Sequence, residues 1–207
     1  MLYNFAFVSI GSHTGYWLEK ELESFSNEKI LLVEPVKYNL KELRERTAKY
    51  KNIIIEEVAI GDKDEIKSFY YIKHSSIYKL KKHWASGIGS FDKKHILNHK
   101  NKRFKVTDLD IETMQVKCLS FQSLIKKHSI KKIKKLMIDV EGAEYKILKS
   151  IDYTNIDIEQ IIFEKKHFDG LFKQGQNLKE IKNLLSKNKY KIIDLDEENI
   201  LAERKCL

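Results

Sequence analysis

Three acidic residues stand within six positions of one another, and side chains of this type could orient a hydroxyl or take its proton. Asp139 and Glu141 follow the apolar run 136–138, and Glu144 enters the next helical stretch. One acid at a helix start is ordinary, because it offsets the helix dipole. Three acids at one strand end instead indicate a site, because ligands of open parallel sheets bind beyond the carboxyl ends of the strands.

Two further strand ends carry residues suited to a nucleotide-type cofactor. Gly11-Ser-His-Thr-Gly15 has two glycines, which let the backbone approach a ligand, and a helix start at which free amides are expected. Its Gly-x-x-x-Gly spacing argues against a dinucleotide-binding, hydride-transferring enzyme. Glu34 ends the next strand, about twenty residues further on, where a carboxylate can accept both hydroxyls of a ribose.

Alternating strands and helices are needed to position these residues. Apolar runs separated by helical stripes and short connections predict a parallel sheet with right-handed crossovers, closed by a terminal antiparallel pair. The predicted strands occupy residues 5–10, 29–33, 52–60, 136–140, 158–164, 190–195 and 199–204. The sequence therefore predicts an open α/β fold.

The middle of the chain predicts an insertion, about 66–115, between the third and fourth strands. Residues 66–73 suit an extended segment, whereas 75–110 has no sustained period, and we expect the insertion to lie over the sheet edge. Its aromatic residues could form a wall for a sugar ring, although packing is the commoner role. Its histidines, which we interpret as surface residues, are His74, His83, His95 and His99.

The composition limits the classes of protein to consider. With 207 residues, of which 42% are hydrophobic, the chain suits one domain over 1–207 and is too apolar for disorder. No apolar run approaches the roughly 20 residues that cross a bilayer, and no secretory signal is evident, so we expect a cytoplasmic protein. Cys118 and Cys206 are isolated, which argues against a disulfide framework or a cysteine-based zinc site.

The net charge of +9 could attract a phosphate backbone. Only four of the 39 cationic residues are arginines, however, and arginine is the side chain that binds bases and phosphates bidentately. The lysines stand in short scattered groups. This pattern favours a solvated surface, and nucleic acid is an unlikely partner on this basis.

Four segments resemble, in order, the signatures of the FkbM-type S-adenosylmethionine-dependent methyltransferases. They are residues 7–15, 32–35, 57–62 and 136–148, and the most specific is the Asp-Val-Glu-Gly-Ala-Glu block at 139–144. The resemblance implies a Rossmann-like class I methyltransferase fold with a mostly parallel seven-stranded sheet. It also implies methyl transfer from S-adenosylmethionine to a hydroxyl of a sugar or a related small-molecule or glycan acceptor.

The resemblance also assigns residues by position. Residues that would wrap the methionine half of the cofactor are Gly11, Ser12, His13 and Gly15. Glu34 would hold the ribose, and the adenine would be flanked by Val58, Ala59 and Ile60. Asp139 would lie nearest the sulfonium. Candidates to take the acceptor's proton are Asp139 and Glu141 first, then Glu164 and His167 across the cleft.

No metal ion is expected, although Asp139, Glu141 and Glu164 could bind one through oxygen. Three positions depart from the family's common residues, namely Ser9 for Asp, Gln122 for Asp and Met137 for Lys. Two alternatives therefore stay open. One is a catalytically weakened relative, and the other is an RNA-directed methyltransferase or RNA-binding module that uses the lysine-rich surface.

Overall fold

The computed structural model describes residues 4–101 and 103–204, so Cys206 lies outside the described residues. The strands are β1 (Asn4–Ile10), β2 (Ile30–Val33), β3 (Ile53–Glu56), β4 (Ala59–Gly61), β5 (Glu65–Ile72), β6 (Gly89–Ser90), β7 (Ile111–Ser120), β8 (Lys132–Ile138), β9 (Asp157–Glu164), β10 (Tyr190–Asp194) and β11 (Asn199–Arg204). The α-helices are α1 (Glu19–Ser24), α2 (Lys37–Thr47), α3 (His74–Leu80), α4 (Lys93–Asn98), α5 (Phe121–Lys127), α6 (Glu144–Ser150) and α7 (Gln176–Lys187). Short 3₁₀ turns lie at Tyr16–Leu18, His83–Gly87, His99–Asn101 and Asp108–Asp110.

Seven strands form the main sheet, in the order β3-β2-β1-β8-β9-β11-β10. The pairs from β3 to β9 are parallel, and β11 runs antiparallel to both β9 and β10. Strand order reverses between β1 and β8, where an open α/β sheet has its ligand crevice. The predicted fold class, a mostly parallel seven-stranded sheet with a terminal antiparallel hairpin, is confirmed.

Both faces of the main sheet are covered, as the apolar run in β2 predicts. Ile30 and Leu32 face α1 and α2 in one buried cluster, whereas Leu31 and Val33 face α5, α6 and α7 in another. The alternation follows from the two-residue period of a strand. The resulting three layers hold the carboxyl ends of β1, β2, β8 and β9 on one side of the molecule.

A second sheet, ordered β4-β7-β5-β6, was not predicted. The predicted strand at 52–60 is wrong in its continuity, because it ends at Glu56 and resumes as β4 in the second sheet. Ala59–Gly61 pairs there with Cys118–Ser120 of β7. The predicted extended segment at 66–73 corresponds to β5, which pairs antiparallel with β7 along its length. The extra structure between β3 and β8 therefore begins earlier and ends later than predicted.

The insertion lies over the carboxyl ends of the main sheet. The expectation that it lies over the sheet edge is wrong. His13 Nε2 is 2.5 Å from Ser86 Oγ, and Ser90 Oγ donates to the Glu141 carbonyl oxygen at 3.4 Å. The insertion therefore forms one wall of the region where the three sets of predicted site residues meet. Among the described residues, no helix has both the length and the apolar character needed to span a membrane.

Candidate active site

A cleft of about 390 Å³ opens at the carboxyl ends of β1, β8 and β9. Ser9 and Gly11 come from the first of these strand ends, Asp139 from the second and Glu164 from the third. The insertion contributes Trp84, Gly87 and Arg103 to the opposite wall. The cleft thus gathers residues that are far apart in the sequence, at the point where the topology predicts a ligand.

The glycine turn fits against the next strand end so closely that a side chain is excluded. Gly11 has φ +84°, and a Cβ built on it would lie 1.8 Å from the Asp139 carbonyl oxygen. Asp139 N–H donates to the Ile10 carbonyl at 2.9 Å, which fixes the two strand ends together. Only glycine can occupy position 11 without displacing Asp139.

Four amides of this turn are hydrogen-bonded within the protein. Gly11 and Ser12 N–H both donate to the Val33 carbonyl, Gly15 N–H donates to the Ser12 carbonyl, and His13 N–H donates to Glu34. Gly11 and Ser12 lose their freedom because β2 ends beside the turn and supplies their acceptor. Gly11, Ser12 and His13 line the cleft, whereas Gly15 packs against Leu43 of α2.

Glu34 is buried at the end of β2, and its carboxylate already accepts three hydrogen bonds. His13 N–H donates to Oε2 at 2.9 Å, and Val36 N–H and Asn39 Nδ2 donate to Oε1 at 2.9 and 3.2 Å. A carboxylate has about four acceptor positions, so one remains, on Oε2. Burial raises the pKa of Glu34 to about 7 against the opposing effect of these bonds. The geometry therefore suits one ribose hydroxyl at this carboxylate and not two.

A narrow apolar slot adjoins Glu34. It is lined by Val58, Ala59 and Ile60 on one side and by Phe69 and Phe91 on another, and its volume is about 40 Å³. The three predicted adenine neighbours therefore lie together beside Glu34. Because 40 Å³ holds no more than a few water molecules, a planar base requires the wall from the insertion to move aside.

The acidic loop after β8 is held by its last acid. Glu144 is fully buried, and its carboxylate accepts the N–H groups of Val140 and Gly142 at 2.8 and 2.9 Å. Those bonds hold Glu141 at φ +52°, a conformation that a side-chain-bearing residue rarely adopts. Glu144 therefore positions the loop and does not face the cleft.

The four predicted catalytic residues differ in access. Asp139 is exposed to the cleft, whereas Glu164 is 4% exposed and its carboxylate pairs with Lys166 Nζ. Burial and the neighbouring Asp139 carboxylate raise the pKa of Glu164. Glu141 lines the cleft with a side chain that is 12% exposed. His167 is buried behind the cleft wall and touches Glu141.

Glu141 is surrounded by histidines. The Nε2 atoms of His95 and His167 each lie 3.3 Å from Glu141 Oε2, and His99 Nε2 lies 4.0 Å away. The interpretation of His95 and His99 as surface residues is wrong, because they are 8% and 0% exposed. His74 and His83 are exposed, as predicted.

One spacing could have revealed part of this cluster from sequence. His95 and His99 stand four residues apart, a separation that places side chains on one face of a helical segment. The expectation of no metal did not take this spacing into account. Sequence alone does not show that segments 46 positions apart, such as those of His95 and Glu141, come together.

Two cations in the cleft were also not predicted. Lys166 Nζ lies 2.9 Å from Glu198 Oε2, and the Arg103 guanidinium lies 4.8 Å from the centre of the Trp84 ring. Arg103 also approaches Glu198, with 3.7 Å between Nη2 and Oε1. Arg103 could have been singled out as one of few arginines in a lysine-rich chain, whereas Lys166 carries no signal beyond its place after β9.

The three departures from the family's common residues have different surroundings. Ser9 is 1% exposed at the end of β1, and Met137 lines the same cleft. Carboxylates of Asp139, Glu164 and Glu198 line it too. Gln122 lies in α5, away from the cleft lining.

Comparison with known proteins identifies one family. The family model described as the methyltransferase FkbM domain matches residues 9–192. No curated protein sequence matches the chain.

Three similar solved structures have TM-scores below 0.5. Precorrin-6y C5,15-methyltransferase from Geobacter metallireducens is 11% identical, with 99% of this chain and 82% of that chain covered and a TM-score of 0.47. Aeropyrum pernix fibrillarin with bound S-adenosyl-L-methionine is 10% identical, with 98% and 68% covered and a TM-score of 0.45. Ribosomal protein L11 methylase from Lactobacillus delbrueckii is 10% identical, with 100% and 72% covered and a TM-score of 0.44.

Proposed function

The chain belongs to the FkbM methyltransferase family, and from this premise we propose that it methylates a hydroxyl of a sugar or a related small-molecule or glycan acceptor. Methyl transfer with S-adenosylmethionine as cofactor is the activity of the family.

The residues present fit the cofactor. Gly11 lines the cleft without a side chain, and Glu34 has one acceptor position left beside an apolar slot. We assign Gly11, Ser12 and His13 to the methionine half, Glu34 to a ribose hydroxyl, and Val58, Ala59 and Ile60 to the adenine. Gly15 supports the turn from behind. When bound, S-adenosylmethionine supplies an electrophilic methyl group on a sulfonium sulfur.

One observation favours a carbohydrate-like acceptor above others. Trp17 lines the cleft with 62% of its surface exposed, and Trp84, whose ring has the Arg103 guanidinium over it, lines the opposite wall. Indole faces provide flat apolar surfaces for sugar rings, and nearby charged and amide groups can bind hydroxyls. Asn199 and Glu198, from the terminal hairpin, supply such groups in the same cleft.

The charge in the cleft argues against a phosphate backbone there. Four carboxylates line it, on Asp139, Glu141, Glu164 and Glu198, whereas its described cations are Arg103 and Lys166. Both cations approach carboxylates of the cleft. A nucleic acid would therefore meet net negative charge at the reacting centre, although the chain as a whole carries +9.

Asp139 is the residue to which we assign the acceptor's proton. Among the four predicted catalytic residues it is the most exposed, and Gly11 and the Ile10 carbonyl fix its backbone where β1 and β8 end side by side. A carboxylate in that place can accept a hydrogen bond from the hydroxyl, orient its oxygen and then take its proton. Glu164 is less accessible because Lys166 occupies it.

A transfer assay tests the proposal. The purified protein is incubated with methyl-labelled S-adenosylmethionine and with separate pools of sugar nucleotides, glycans and RNA. We expect label in a carbohydrate pool, held in a bond that resists mild alkali as a methyl ether does. Trp17→Ala should reduce this labelling, whereas Trp17→Phe should retain most of it. Label confined to RNA would refute the acceptor class and support the RNA-directed alternative.

A further inference from the structure

The histidine cluster behind the cleft wall has the composition of a metal site. Its members come from three segments: His95 and His99 from α4 and the following turn, Glu141 from the loop after β8, and His167 from the segment after β9. One candidate ligand atom from each residue lies within 4.8 Å of all the others. Imidazole nitrogen with a single carboxylate oxygen is a donor set suited to zinc and similar divalent transition ions.

The distances agree with coordination around one ion. Zinc binds nitrogen and oxygen at about 2.0–2.2 Å, so neighbouring ligand atoms of a tetrahedral site lie about 3.3–3.6 Å apart. Glu141 Oε2 lies 3.3 Å from Nε2 of both His95 and His167, and 4.0 Å from that of His99. A shift of well under 1 Å at His99 would bring all three edges that meet at Glu141 Oε2 to tetrahedral length.

His99 provides an independent reason to expect a ligand. Its side chain is fully buried, and within residues 4–101 and 103–204 neither Nδ1 nor Nε2 has a hydrogen-bond partner. A buried polar group without a partner costs roughly 1–3 kcal/mol, so native structures rarely leave both nitrogens of a histidine unpaired. The rings of Phe104 and Phe172 surround it, at centroid distances of 5.6 and 6.0 Å.

His167 is the weakest of the four potential ligands. Phe172 N–H donates to its Nδ1 at 3.1 Å, so in this arrangement the proton of the neutral ring is on Nε2. Coordination through Nε2 needs the other tautomer and gives up that bond. His99 can bind without such a loss, because neither of its ring nitrogens has a partner, whereas an ion bound by His95 and Glu141 would replace the 3.3 Å contact between His95 Nε2 and Glu141 Oε2.

A neighbouring acidic group does not offer an equivalent site. Asp139, Glu144 and Glu164 also approach one another. Glu144 is committed to two backbone amides, however, and Glu164 to Lys166.

We propose that His95, His99 and Glu141, with His167 as a fourth and weaker ligand, bind one divalent transition ion of the zinc class. The ion would join the insertion to the sheet at the wall of the cleft.

Metal binding by the purified protein tests this inference without any assay of methyl transfer. The purified protein, without a histidine tag, is treated with a chelator and then titrated with Zn²⁺ in competition with a chromophoric chelator. We expect one Zn²⁺ per chain and an increase in melting temperature. Co²⁺ in its place should give the visible absorption of a four-coordinate site.

Variants separate this site from incidental binding. His99→Ala and Glu141→Gln should each weaken Zn²⁺ binding by about 100-fold or more, since even residues that only support ligands contribute 10- to 100-fold. His167→Ala should have a smaller effect, and the exposed His83→Ala should have none. Circular dichroism checks that each variant folds. If His99→Ala does not fold, anomalous scattering at the zinc edge from wild-type crystals locates the ion directly.

The results have clear readings. Zn²⁺ bound between His99 and Glu141 supports the site. No stoichiometric binding, unchanged affinity in a folded His99→Ala variant, or an ion located elsewhere would overturn it. Calorimetry with S-adenosylmethionine on the chelated protein is a separate readout, so loss of the metal inference leaves the proposed methyltransferase function testable on its own.

Discussion

Replacement of Glu34 by glutamine should remove a pH dependence from cofactor binding. Glu34 is buried, and its pKa is raised from 4.5 to about 7 in the cofactor-free protein. Its remaining acceptor position on Oε2 binds a ribose hydroxyl best when the carboxylate is ionised. Cofactor binding should therefore favour the ionised form and strengthen as the pH rises.

The magnitude follows from the ionised fraction. With a pKa of about 7, roughly a tenth of Glu34 is ionised at pH 6 and nine-tenths at pH 8. If only the ionised form binds, the Kd should fall about tenfold between these values, which is about 1.4 kcal/mol. Glu34→Gln should bind more weakly at pH 8 and show little change with pH.

Stability of the cofactor-free protein should change in the opposite direction. Because the folded pKa of Glu34 is raised, its contribution is fully present below pH 4.5 and is lost as the pH rises through about 7. The shift from 4.5 to about 7 corresponds to about 3 kcal/mol at most. The free energy of unfolding should therefore change less with pH over this window in Glu34→Gln than in wild type.

Isothermal titration calorimetry between pH 6 and pH 8 measures the binding effect. Repeating it in buffers with different ionisation enthalpies counts released protons, and we expect about half a proton per cofactor at pH 7. Glu42→Gln, an exposed change in α2, is the control and should behave as wild type. A tenfold pH effect that persists in Glu34→Gln would refute the assignment of this carboxylate to the ribose.

Three further predictions concern Gly11 in the glycine turn, Asp139 as the proton acceptor and Trp17 in the acceptor wall. Gly11→Ala should destabilise the protein by about 2–4 kcal/mol in urea unfolding, because a Cβ meets the Asp139 carbonyl oxygen at 1.8 Å. Gly170→Ala is the control: it also has a positive φ but has space for a Cβ, so it should cost about 1 kcal/mol. Asp139→Asn should lower kcat about 10²- to 10⁴-fold and leave the calorimetric cofactor Kd within a few-fold; unchanged kcat would contradict its role. Trp17→Ala should raise KM for a carbohydrate acceptor about tenfold without changing the melting temperature, and an unchanged KM would exclude it from the acceptor wall.

The strands of the main sheet were predictable because their apolar runs are local signals. β2, for example, is buried throughout, and its four apolar residues suffice to indicate a covered strand. The break after Glu56 was not predictable in the same way. Apolar residues resume at 58–60 after Glu56 and Glu57, and only pairing with β7, about sixty positions later, places Ala59–Gly61 in another sheet.

Residues of the candidate site were predictable where they occupy strand ends. Gly11, Glu34 and Asp139 meet because parallel strands bring their carboxyl ends together. The histidines around Glu141 were not predictable, because His95 and His99 come from an insertion whose path depends on long-range contacts. The hydrogen bonds of the Gly11 and Ser12 amides have the same origin, since the Val33 carbonyl that accepts them belongs to a neighbouring strand.

A crystal structure with bound S-adenosylhomocysteine tests the central assignment most directly. We expect a ribose hydroxyl within hydrogen-bond distance of Glu34 Oε2, the adenine between Ile60 and Phe91 in a widened slot, and the sulfur facing Asp139 in the cleft. A ribose bound away from Glu34, or a sulfur directed away from Asp139, would contradict the account.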